Sequence, residues 1–166
     1  MEKWSELPSF PGYSVSHLGR VRNDRNGRPL NITINQLGIP YVGLSDRGLH
    51  VKRAIAPLVA HSFLAPAELA SFDTPINLDG DRLHCAADNL MWRPRWFAVS
   101  YHRQFFLGRA WIDLPIEDIE TEERFDSSLH AAMRYGLLDK EIMQSTQVQT
   151  YVWPTYQRFR ILLDRY

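Results

Sequence analysis

The sequence predicts an α+β protein. Three observations point there: short strand and turn signals crowd the first third of the chain, apolar residues then take helical spacing, and two capped helical segments lie near the end. The 45% hydrophobic fraction, with five Trp, seven Tyr and eight Phe, suffices for a packed core and sets aside a disordered chain. At 166 residues there is room for one well-buried domain, or for one core with a small appendage. Cys85 is the one cysteine, which excludes a disulfide framework and a Cys-rich zinc cluster and fits a reducing compartment.

Taken in order, Gly12 to Val15 and Gly19 to Arg22 read as strands, followed by the Asn26-Gly27 turn signal. Tyr41 to Leu44 and Leu49 to Val51 read as a hairpin across Ser45 to Gly48. Ile55, Leu58, Val59 and Phe63 have helical spacing, with Pro57 tolerable in the first turn. Ile76 to Leu78 and Leu90 to Trp92 suggest two short strands around an Asp79-Gly80-Asp81 turn, and Trp96 to Leu107 a helix packing Phe97, Tyr101 and Phe105. The outline is ββα. Asp113 to Glu123 reads as an acidic linker or exposed strand. Ser127 is placed to cap a helix that Gly136 ends, and Asp139 to cap a second through Ile142. Spacing alone fits a plain helical hairpin better than a helix-turn-helix, and the Gln144 to Gln149 run reads as solvated surface. The expected organisation is therefore 1–53, a β region; 54–110, the ββα region; and 111–166, a C-terminal module.

The zero formal net charge is unevenly spread. Residues 1–55 hold eight Lys/Arg against four Asp/Glu, and residues 113–166 six against ten. Neutrality lowers the expectation of DNA binding, but a local basic face can supply it. Candidate phosphate contacts are Arg20, Arg22, Arg25, Arg28, Lys52, Arg53, Arg93 and Arg95, the first four flanking a turn. Trp92 and Trp96 read as core or interface. The aromatic run Tyr151, Trp153, Tyr156 and Phe159 is a candidate surface for a protein partner. The Met1 to Trp4 start lacks a signal-peptide pattern and no run nears the roughly 18 apolar residues of a membrane span, so a cytoplasmic protein with no membrane partner is expected.

Trp4, Pro11-Gly12-Tyr13, Val15-Ser16 and Gly19-Arg20-Val21-Arg22 resemble the NUMOD4 module found in front of HNH homing endonucleases of phages and mobile introns. The resemblance continues through Leu58-Val59-Ala60 and Leu78 to Asp81 into Asn89-Leu90-Met91-Trp92, similar to the family's Asn-Leu-x-Trp signature. Phe125 to Ser127, Ala131-Ala132, Ile142 and Ser145 are similar to small DNA-reading segments attached to such nucleases. It implies a ββα-metal core after a NUMOD4-like hairpin region, a double-stranded DNA partner, and an origin in a phage-infected bacterial host.

Single-metal phosphodiester hydrolysis needs a general base, a hard divalent cation and a residue orienting the base. The resemblance places the base at Asn77, an acidic ligand at Ile76, the orienting residue at Asn89 and a helix ligand at Ala98. Asparagine takes up no proton near neutral pH, and neither an isoleucine nor an alanine side chain ligates a cation. The expectation is a degenerate centre with no catalytic residue, no metal and no cofactor, retained for binding. Two alternatives stand beside it. One is an active divergent nickase using Mg²⁺ or another divalent cation, with Asp81, His84 and His102 as displaced ligands and Asp79 and Asp88 in support. The other is an accessory subunit docking on a larger viral or host complex.

Overall fold

The strand and turn signals of the first third fold as two three-stranded antiparallel sheets. A computed structural model describes residues 1–163, and the chain divides into two compact units, Met1–Ala98 and Val99–Tyr166.

In the first unit β1 (Trp4–Glu6), β2 (Tyr13–Ser16) and β3 (Val21–Asn23) pair in sequence order, with Val15 opposite Val21 and both in the core. β4 (Ile32–Ile34), β5 (Pro40–Asp46) and β6 (Leu49–Ala54) form the second sheet. The period-2 pattern of β5 buries Pro40, Val42 and Leu44 and leaves Gly43 out. Arg47 and Gly48 both have positive φ, 48° and 82°, as a two-residue hairpin whose twist matches its strands requires. α1 (Ile55–Phe63) follows directly, buries Ile55, Val59 and Ala60, and carries Pro57 in its first turn, where no backbone donor is lost.

β7 (Thr74–Asn77) and β8 (Leu90–Arg93) form the expected pair, with Asn77 opposite Leu90, and β8 leads through Pro94 into α2 (Arg95–Gln104). The division between the two units falls inside α2.

The second unit corrects the reading of its acidic stretch. β9 (Ile116–Asp118) is the buried centre of a sheet between β10 (Arg124–Phe125) and β11 (Phe159–Ile161). Its carboxylates are buried because each is fully bonded. Glu117 accepts from Arg124 Nε at 3.1 Å and Arg160 Nε at 2.6 Å on the two flanking strands, and these bonds hold its carboxyl below the ordinary range. Asp118 accepts from the Tyr135 hydroxyl at 2.7 Å and the Thr121 hydroxyl at 2.8 Å.

α3 (Ser128–Tyr135) is capped by Ser127, whose hydroxyl accepts from the His130 amide, and ends at Gly136 with φ 64°. α4 (Asp139–Val148) runs beyond Ile142, so most of the Gln144 to Gln149 run is helical. Asp139 does not cap it. Its buried carboxylate accepts instead from the Trp111 amide at 3.0 Å, and burial raises its pKa. Phe159 lies in the core beside Ile116, Ala132 and Ile142. The C-terminal aromatics therefore do not form one docking surface, although Tyr151 and Tyr156 are exposed. Among the described residues no helix is long and apolar enough to cross a membrane.

Candidate functional site

Residues 78–89 connect β7 to β8, and their polar side chains turn inward on one another. Asn77 Nδ2 donates to the His84 carbonyl at 3.0 Å. Asn89 Nδ2 donates to the same carbonyl and to Asp79 Oδ1, both at 2.8 Å, while its Oδ1 accepts from the Asp79 amide at 3.2 Å. His84 Nδ1 lies 2.6 Å from Asp79 Oδ2. Partial burial pushes the Asp79 carboxyl up, but the hydrogen bonds from His84 and Asn89 outweigh it and hold the group below its ordinary value. The bond to Asp79 raises His84, so each partner favours the charged form of the other. Asp81 faces the loop's own backbone, accepting from the Leu83 amide at 2.9 Å.

This loop is braced by the turn after β2. The Ala87 amide donates to the His17 carbonyl at 2.7 Å, and Gly19 (φ 87°) sits so close that a Cβ there would lie 3.1 Å from Cys85 Cβ. Cys85 is buried and its thiol is pushed up to about 11 by that burial.

Ile76 is fully buried, Asn77 is 4% exposed and Ala98 5%. Ile76 and Ala98 offer no donor atom to a hard divalent cation, which requires oxygen or imidazole donors, and Asn77, whose Nδ2 donates to the His84 carbonyl, offers an amide oxygen alone. His102 is buried in the second unit beside Tyr101, Asp88 is exposed, and no group of three or more His, Cys, Asp or Glu among the described residues could hold a metal. The set of displaced ligands read from the sequence is thus not assembled.

The candidate cations divide sharply. Arg20 is held by Glu2, with Nε to Oε1 at 2.8 Å. Arg22 pairs with Asp24 at 3.1 Å and lies over the Trp4 ring at 4.3 Å. Arg93 is 5% exposed, donates to the Trp92 carbonyl at 2.8 Å and lies 5.9 and 5.8 Å from the Phe72 and Phe97 ring centres. It belongs to the interior and leaves the candidate set. Arg53 donates to the Lys52 carbonyl and lies over Phe10, yet remains exposed, as do Lys52 and Arg95. Trp96, read as core or interface, is 61% exposed, whereas Trp92 packs partly against the core.

Arg25 and Arg28 are the clearest outward cations. Their amides are held by the Asn23 and Asn26 side-chain oxygens, both at 2.9 Å, which fixes the path of the turn, and neither guanidinium has an ion pair among the described residues.

Residues 2–45, which include this turn, match the NUMOD4 motif. Across its length the chain is similar to a solved structure described as "DNA binding and cleavage by the HNH homing endonuclease I-HmuI", with TM-score 0.54 and 21% sequence identity, covering 98% of this chain and 99% of that one. The chain shares the fold of that structure. No curated protein matches it significantly.

Within that shared fold, sequence reasoning named Asp79 and His84 separately but missed their pairing. A spacing of five residues across an irregular loop carries no periodic signal. The Asn-rich stretch of 23–26 was the available sign of the turn that presents Arg25 and Arg28.

Proposed function

We propose that the protein binds duplex DNA without cleaving it through its HNH-like loop, as a pseudoenzyme. The observation that carries this reading is the closed network of Asn77, Asp79, His84 and Asn89. Groups that would have to move a proton or hold a cation are instead bonded to one another and to the loop backbone. Binding can outlast the chemistry because phosphate contacts depend on other residues, here the outward cations Arg25, Arg28, Lys52, Arg53 and Arg95. The DNA-binding subject of the I-HmuI structure and the NUMOD4 match support a DNA partner.

The test joins two assays. Purified protein incubated with supercoiled DNA over Mg²⁺, Mn²⁺, Zn²⁺ and Ni²⁺ is expected to leave it intact, and a salt-titrated binding assay is expected to show duplex affinity that falls as salt rises. Metal-dependent nicking lost in His84→Ala would establish the active alternative. One observation favours that alternative: the half-exposed His84 imidazole is oriented by a carboxylate, as a general base needs to be. Absence of duplex binding at about 50 mM salt, with a stoichiometric protein recovered from the source cell, would replace both readings with an accessory role.

A further inference from the structure

The second unit carries an apolar projection to which the DNA-binding reading assigns no role. After α2 a single 3-10 turn, Phe105–Leu107, is closed by Gly108 in the left-handed conformation at φ 63°. Its inner side is anchored. Phe105 packs edge-on against the fully buried Tyr101, with ring centres 5.4 Å apart, and the Gln104 side chain donates to the Leu137 carbonyl at 3.3 Å while accepting from the Asp139 amide at 2.8 Å. The outer side has no such cover: Phe106 is 82% exposed and Leu107 56%. A pinned turn cannot relieve that exposure by rearranging, so the two side chains are presented ready for a partner.

The charges beside the projection say what kind of partner. Arg103 and Arg109 flank it, both exposed and neither ion-paired among the described residues, and no Asp or Glu occurs between Val99 and Ile112. A polyanion is the complement of such a surface. Size narrows it further. Stable protein interfaces bury about 800 Å² on each partner, more than two side chains supply, whereas one or two apolar side chains bracketed by cations suffice to enter a base step.

We propose that Phe106, supported by Leu107, is a wedge that inserts between base pairs of duplex DNA from the minor groove, with Arg103 and Arg109 on the adjoining phosphates. The inference rests on the DNA-binding reading and deepens it, because it makes the protein a bender of DNA as well as a binder. Insertion unstacks one step and kinks the duplex toward the major groove.

Short duplexes carrying 2-aminopurine at successive positions, with a donor and an acceptor dye at their ends, test this on the full chain. The intact protein is expected to raise 2-aminopurine fluorescence at a defined position and shorten the dye separation. Phe106→Ala, at an exposed position, is expected to keep the fold, lose both signals and weaken binding by about tenfold with the salt slope unchanged. Arg103→Gln is expected to keep the unstacking signal and flatten the slope by about one unit. Binding with a stacked, straight duplex would overturn the wedge and leave DNA binding standing, as would a Phe106→Ala protein that unstacks like the intact one because the projection serves a protein. Failure of the intact protein to bind any duplex would remove the DNA-binding reading and the wedge together.

Discussion

Two loops of the first unit use the same asparagine chemistry to opposite ends. In residues 23–28 the Asn23 and Asn26 side chains bond only the backbone of the turn, and Arg25 and Arg28 point outward without carboxylate partners. In residues 77–89 the Asn77 and Asn89 side chains cross the loop, and the charged pair Asp79 and His84 is absorbed into the same network. The difference teaches where function can reside. Polar groups bonded to one another across a loop hold that loop together, while cations without a carboxylate partner keep their full attraction for phosphate.

The largest effect should come from cutting the closed loop. Asn89→Ala removes three bonds of a buried side chain at once, those donated to the His84 carbonyl and to Asp79 Oδ1 and the one accepted from the Asp79 amide, and is expected to cost about 3 kcal/mol of unfolding free energy in a denaturant titration. Asn26→Ala, which removes one bond at an exposed turn, should cost at most about 1 kcal/mol. Equal losses would mean that the two loops are held alike. Gly19→Ala comes next, at about 2 kcal/mol, because it combines a positive φ with a Cβ pressed on Cys85. A neutral result in the same titration would show that the brace between turn and loop yields.

Binding sharpens the other half of the contrast. Arg25→Gln and Arg28→Gln should each flatten the slope of log affinity against log salt by about one unit. Arg20→Gln and Arg22→Gln, whose guanidiniums are already paired, should change it less. The reverse order would relocate the phosphate contacts.

The smallest effect is the pH response of the Asp79–His84 pair. The raised His84 contributes stability that is complete below its unfolded-state pKa and is lost as pH rises through its folded value. The lowered Asp79 contributes stability above its unfolded-state pKa that is lost as pH falls through its folded value. The loop is therefore tightest in the mildly acidic window between them. His84→Gln should flatten the alkaline side of a Tm-against-pH curve, and an NMR titration should find the His84 midpoint above that of an ordinary histidine. An ordinary midpoint would remove the ion pair.

The sequence by itself determined those features whose cause lies within a few residues. Period-2 alternation along β5, Pro57 in the first turn of α1, the Ser127 cap, the Gly136 stop and the strand pair around Asp79 to Asp81 all follow from local dihedral and hydrogen-bond preferences. What the side chains of Ile76, Asn77 and Ala98 can do chemically was legible for the same reason, since it depends on each residue alone. Tertiary structure alone decided where charge is neutralised. Glu117 becomes burial material in a central strand because Arg160, 43 residues away, reaches it. Arg93 is lost to the interior, Arg20 is tied to Glu2, and Phe159 moves from an imagined docking surface into the core. The physical reason is that burying or freeing a charge depends on partners brought together by the fold, and local pattern carries no record of which distant residue will arrive.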